Sequence, residues 1–96
     1  MEPYFIVLTT PRFDRLLHAI HKQHADITKH YAEAITILGI DPYNRSRRYH
    51  IKKLEGINRN AGQYRLSLGR WRFRYDIINR KVILNYCGLR RENTYR

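Results

Sequence analysis

The feature that most constrains this chain is a double run of strict alternation. Over residues 64–68, Tyr64, Leu66 and Leu68 alternate with Arg65 and Ser67. Over 71–77, Trp71, Phe73, Tyr75 and Ile77 alternate with Arg72, Arg74 and Asp76. Side chains two apart on a strand share a face, so each run reads as a strand with one apolar and one polar side. Gly69 and Arg70 stand between the runs and turn the chain back on itself. If the apolar sides are covered, Arg65, Ser67, Arg72 and Arg74 all point the other way.

The cover is found upstream. Tyr4 to Thr9 is a short apolar run rich in β-branched and aromatic residues and reads as a strand. Thr10 is placed to N-cap a helix, with Pro11 at the first helical position, where a missing N–H costs nothing. Phe13, Leu16, Leu17, Ile20 and His24 follow at helical spacing. A second helix carries Ile27, Tyr31, Ala34, Ile35 and Leu38 on one face and is expected to stop at Gly39 as a left-handed cap, with Pro42 soon after. The link near His24 to Asp26 is short, which implies an antiparallel helical hairpin.

Residues 43–48 form a polar, basic connection. Tyr49 to Leu54 alternates weakly and reads as a strand, 56–62 is a loop, and Lys81 to Cys87, after a turn at Asn79 and Arg80, is the last strand. The expected order is β-α-α-β-β-β in a single domain over 1–96. The class is α+β: an N-terminal helical hairpin packed on one face of an antiparallel-dominated, twisted sheet. The first strand joins that sheet at its centre or its edge.

Charge follows the same division. Residues 41–96 carry 15 of the 19 Lys and Arg side chains and four acids, whereas residues 1–40 are balanced, so the whole net charge of +11 lies in the strand-rich part. A polyanion is the natural partner of such a surface. Nucleic acid is favoured over a membrane, because there is no basic amphipathic helix of the kind that lies on bilayers. No apolar run approaches the roughly 20 residues that span one, and the N-terminus does not read as a signal peptide. The single Cys87 excludes an intrachain disulfide and fits a reducing, cytoplasmic setting; at the end of an apolar strand it reads as buried and inert. His18, His21 and His24 are spaced along one helix, but without Cys or acid at zinc-like spacing no metal is expected. No cofactor is expected either.

The chemistry open to an arginine-lined sheet face is narrow. Guanidinium groups donate paired hydrogen bonds to phosphate. They do not act as bases, but they stabilise negative charge that builds in a transition state. RNA cleavage suits such a site, because the 2′-hydroxyl is an internal nucleophile. The protein then has to orient the sugar, neutralise the phosphorane-like charge and move two protons.

These residues resemble a known family. KLEG (53–56), YRLSLGRWRFRYD (64–76) and GLRRENTY (88–95), with the opening YFIVLTTPRFDRLL and the helical hairpin, look like the RelE/ParE superfamily of bacterial and archaeal toxins. The likeness covers essentially the whole chain. It implies a toxin–antitoxin hetero-oligomer in which a cognate partner neutralises the toxin. RelE-like members cut mRNA in the ribosomal A site, whereas ParE-like members act on DNA gyrase and lack the RNA-cleaving set.

By this resemblance Arg65, Arg72, Arg90 and Tyr95 fall on RelE-like catalytic positions, with Arg91 one residue out of register with Arg90. Ser67 stands where a second basic residue is expected. That departure puts the proton-transfer role on other residues: His50 is the candidate substitute, histidine being the side chain suited to proton transfer near neutral pH, and by the resemblance Tyr95 is the other proton carrier. Lys52, Lys53, Arg70, Arg74 and Arg91 are the basic side chains expected along the RNA and ribosome. Lys52 and Lys53 lie on opposite faces of their strand, so only one of them can reach the arginine face. The expectation is a metal-independent, ribosome-dependent endoribonuclease held in check by an acidic antitoxin. The alternatives are a ParE-like gyrase inhibitor and a basic nucleic-acid-binding module.

Overall fold

The structure is a computed structural model and describes residues 4–90. Strand β1 (Ile6–Thr9) leads into helix α1 (Pro11–His21), and α2 (Ile27–Ile40) follows across the turn at 22–26. Four strands come next: β2 (Ile51–Lys53), β3 (Tyr64–Leu68), β4 (Trp71–Ile78) and β5 (Lys81–Leu89). The order is therefore β-α-α-β-β-β-β: all four segments read as strands after the helices do pair, so the order β-α-α-β-β-β is one strand short. The weakly alternating segment pairs over three residues only. The class is α+β, and among the described residues no helix is long and apolar enough to cross a membrane.

The helix start follows from its capping residues. The Thr10 hydroxyl accepts the Phe13 N–H at 3.1 Å and Pro11 opens the first turn. The end of α2 differs from expectation. The helix runs through Gly39 to Ile40, and Gly39 has no left-handed φ. Its carbonyl instead accepts the Phe5 N–H at 3.0 Å, tying the entry of β1 to the helix end. The buried face of α2 is also rotated: Ile37 is in the core, and Ile35 is exposed.

The sheet order is β1-β5-β4-β3-β2, with β1 parallel to β5 at one edge and every other pair antiparallel. Leu66, Trp71, Phe73, Tyr75, Val82 and Leu84 from the sheet meet Phe13, Ile27, Ala34 and Leu38 from the helices, all fully buried. Burying each large apolar side chain contributes roughly 1.5–3 kcal/mol, so this layer supplies most of the stability. Its two polar atoms are satisfied. Trp71 Nε1 donates to Asp26 at 2.9 Å, and the Tyr75 hydroxyl donates to the Pro42 carbonyl at 2.7 Å. The same Asp26 accepts Arg70 at 3.0 Å. The Trp71 indole and the Arg70 guanidinium together hold its carboxyl at about 2.

One irregularity matters for function. Arg74 pairs with Tyr86 but Tyr75 pairs with Leu84, so Asn85 is an extra residue in β5. Such a bulge reverses the facing of everything beyond it. Val82 and Leu84 face the helices, and past the bulge Cys87 does so in place of Tyr86. Cys87 is 1% exposed, and burial pushes its thiol up to about 11.

Candidate active site

The side of the sheet away from the helices is built from two cross-strand rows. Lys52 pairs with Arg65, Arg65 with Arg74, and Arg74 with Tyr86. In the next row Ser67 pairs with Arg72, and Arg72 with Gly88. His50 continues that row, because the Ser67 N–H donates to the His50 carbonyl at 2.9 Å. Directly opposed side chains stand about 4.5–5.5 Å apart at Cβ. The two rows read Lys52–Arg65–Arg74–Tyr86 and His50–Ser67–Arg72–Gly88.

The two ends of this face are finished differently. At one end the 56–62 loop folds over it. Asp76, 2% exposed, accepts the N–H groups of Gly62 and Gln63 at 2.9 and 3.0 Å and the Asn85 amide at 2.7 Å. Arg74 donates to the carbonyls of Ala61 and Gly62 at 2.9–3.1 Å. Its guanidinium is committed to holding the loop. The single acid interleaved in the strands is used in the same way and does not pair with the arginines.

At the other end none of the described loops intervenes. Tyr49, His50, Ile51, Lys52, Arg65, Ser67, Arg72 and Arg90 line one open cleft of about 390 Å³. Arg90 is carried there by one more step of pairing beyond β5, its N–H donating to the Arg70 carbonyl at 2.7 Å. Four cations border the cleft, with no carboxylate among its described lining residues. Arg65 Nε is buried and has no hydrogen-bond partner among the described residues. Directly opposed like charges such as Lys52 and Arg65 destabilise a sheet, and a desolvated unpaired donor adds to that cost. An oxyanion in the cleft relieves both.

The structure thus brings together Arg65, Ser67, Arg72, Arg90, His50 and Lys52. It separates the others. Lys53 lies on the opposite face of β2, its ammonium 5.7 Å from the centre of the Tyr64 ring. Arg70 turns toward the helices, bonded to Asp26 and 5.2 Å over the Trp71 ring. Trp71 is fully buried, whereas Tyr49 is partly buried against the core and lines the cleft as well. His24 stands 5.6 Å from the Trp71 ring, and among the described residues no three His, Cys, Asp or Glu side chains are grouped as metal ligands. Tyr95 and Arg91 lie outside the described residues.

Two residues of this face escape a reading by periodicity. Alternation from Val82 and Leu84 puts Tyr86 in the core; the bulge turns it out. Arg12, in the first turn of α1, then reaches the outward ring, its guanidinium 5.5 Å from the ring centre. The only local signal was Gly88, a residue without a side chain opposite Arg72. Compared with known proteins, the chain matches no family model, no curated protein and no solved structure.

Proposed function

We propose that this protein is a RelE-like toxin: a metal-independent endoribonuclease that cleaves mRNA on the ribosome by attack of a 2′-hydroxyl on the adjacent phosphate. The observation that carries the reading is the open cleft in which Arg65, Arg72 and Arg90 converge beside His50, Ser67 and Lys52. In this reading the three guanidinium groups hold the phosphate and stabilise the charge of the phosphorane-like state. The proton leaving the 2′-hydroxyl passes to His50, at the end of the row that contains Arg72. The O2′–P bond forms, the P–O5′ bond breaks as O5′ takes up a proton from a donor on its side of the phosphorus, and the products are a 2′,3′-cyclic phosphate and a 5′-hydroxyl. Ser67, between His50 and Arg72, is placed to hydrogen-bond the sugar or the phosphate. The work is done in the cytoplasm, where the ribosome is.

The net charge of +11 binds nucleic acid indiscriminately when exposed. The partner proposed here is therefore a cognate antitoxin with an acidic segment that covers the basic face in a toxin–antitoxin hetero-oligomer. Its affinity is expected to fall with salt, and a salt-independent complex removes that part of the reading.

Induction of the protein in cells, with transcript 5′ ends mapped and the supercoiling of a reporter plasmid followed, tests the function. New cuts in phase with codons inside translated regions are the expected result. Relaxed or cleaved plasmid without such cuts overturns it in favour of a ParE-like gyrase inhibitor. Neither effect overturns it in favour of a basic nucleic-acid-binding module.

A further inference from the structure

We infer that Tyr86 is the proton donor of this site, facing His50 across the phosphate held by Arg72. The inference rests on the endoribonuclease reading and deepens it by supplying the second proton carrier. The geometry comes from the bulge. Asn85 turns Tyr86 onto the open face, and from there the phenol leans along its strand over Gly88. The Tyr86 hydroxyl occupies the space that a Cβ at position 88 would need, with Cζ only 2.9 Å from it. Gly88 is the direct partner of Arg72. The row His50–Ser67–Arg72–Gly88 therefore ends in a hydroxyl that another residue lends to it.

Arg72 then has a proton carrier on either side along one line. The hydroxyl over Gly88 is three strand spacings from the His50 position, roughly 14 Å along the row. His50 lines the same cleft as Arg72, and the span between the two proton carriers admits a phosphodiester with a hydrogen bond of about 2.8 Å at each end. In-line displacement needs its acid and its base on opposite sides of phosphorus, and this row supplies them. Imidazole takes the proton of the 2′-hydroxyl. The Tyr86 hydroxyl gives its proton to the departing O5′ and recovers one, through water, from the imidazolium. Arg12, its guanidinium 5.5 Å from the ring centre, is a positioning residue.

Two variants test the assignment in ribosome-bound mRNA cleavage at single turnover. Tyr86→Phe keeps the ring and removes the hydroxyl. Gly88→Ala keeps the hydroxyl and forces the ring away. Each is expected to slow cleavage about 10²–10⁴-fold with ribosome affinity unchanged and one limb of the pH–rate profile gone. The double variant is expected to be no slower than the worse single one, because both remove the same contact. Full activity of Tyr86→Phe overturns the proposal. Equal losses whose pH profile keeps both limbs overturn it too, in favour of a purely structural ring.

A second readout does not depend on turnover. With ¹³Cζ-labelled tyrosine, an RNA trinucleotide carrying a 2′-deoxy group at the scissile position is expected to shift the Tyr86 signal, and Arg72→Ala to abolish that shift. A shift in a wild-type protein that cleaves nothing retains the phosphate site and removes the nuclease reading. No shift at Tyr86 removes the present inference alone.

Discussion

Arg72 and Arg74 are two residues apart on one strand, on the same face, and their ends of that face have opposite characters. Arg74 is held within the protein: the carbonyls of Ala61 and Gly62 take its guanidinium, and nearby Asp76 takes two backbone N–H groups and an amide. Around Arg72 the neighbours are a serine, a histidine, a glycine and two further arginines, with a 390 Å³ cleft in front of them. The capped end uses its charge to close a loop. At the open end Arg65, Arg72 and Arg90 line the cleft. Residue type and strand phase are the same in both, so neither distinguishes a structural arginine from a functional one. The loop that covers one and stops short of the other does.

Four changes break or sharpen this contrast. The largest effect is expected at the open end. Arg72→Ala should lower ribosomal mRNA cleavage about 10²–10³-fold, as for loss of one oxyanion donor, while the urea unfolding midpoint moves little. Growth arrest that persists at equal protein level means the catalytic surface lies elsewhere. At the capped end the expected loss is of stability instead. Asp76→Ala strands three donors that now point at a buried carboxylate, at a cost on the order of 3 kcal/mol. Equilibrium unfolding measures it, and a change below 1 kcal/mol shows that water substitutes for the carboxylate.

Gly62→Ala probes the same clasp more gently. Gly62 has φ +84°, and an added Cβ would stand 2.8 Å from Asn85 Oδ1 and 2.9 Å from the Arg74 Cβ. A loss of roughly 1–3 kcal/mol is expected from the strained backbone and the contact, again with cleavage per folded molecule retained. If cleavage falls while stability holds, the loop belongs to the site and the two ends are not separate.

The smallest effect concerns the third arginine of the series. Arg70 faces the helices, where Asp26 takes it and the Trp71 indole. With the Asp26 carboxyl lowered from 3.8 to about 2 by those two hydrogen bonds, its contribution is complete above pH 4. It is lost as pH falls through about 2, because only the unfolded chain takes up the proton readily in between. The thermal midpoint of the wild type should therefore drop more steeply between pH 4 and pH 2 than that of Asp26→Asn. Parallel curves would mean that this surface pair is worth nothing in solution.

Much of the fold was legible from local pattern. The alternation over 64–68 and 71–77 placed two strands and their faces, Thr10 and Pro11 placed the start of α1, and the short links placed the hairpins. These signals work because the side-chain period of a strand and the donors of a helix end are properties of neighbouring residues. The clustering of Arg65, Ser67 and Arg72 followed from the same period. Gly39 was misread as a cap because its carbonyl is taken by Phe5, far away in sequence. Ile35 and Ile37 are not told apart by pattern, because the second half of α2, Ala34 to Ile40, is apolar apart from Thr36, and only the packing of the sheet chooses among its residues.

What the tertiary structure alone decided is the fate of each charge. Three arginines at 70, 72 and 74 are equivalent as sequence. Asp26, more than 40 residues away, takes the first; the carbonyls of the 56–62 loop take the third; the second faces the cleft. The bulge at Asn85 is likewise invisible in β5 by itself, since it exists only as a mismatch in length against β4. That one extra residue puts Cys87 into the core and Tyr86 onto the face with Arg72. Periodicity is written along the chain, whereas register and partner choice are settled between segments that meet only when the core has formed.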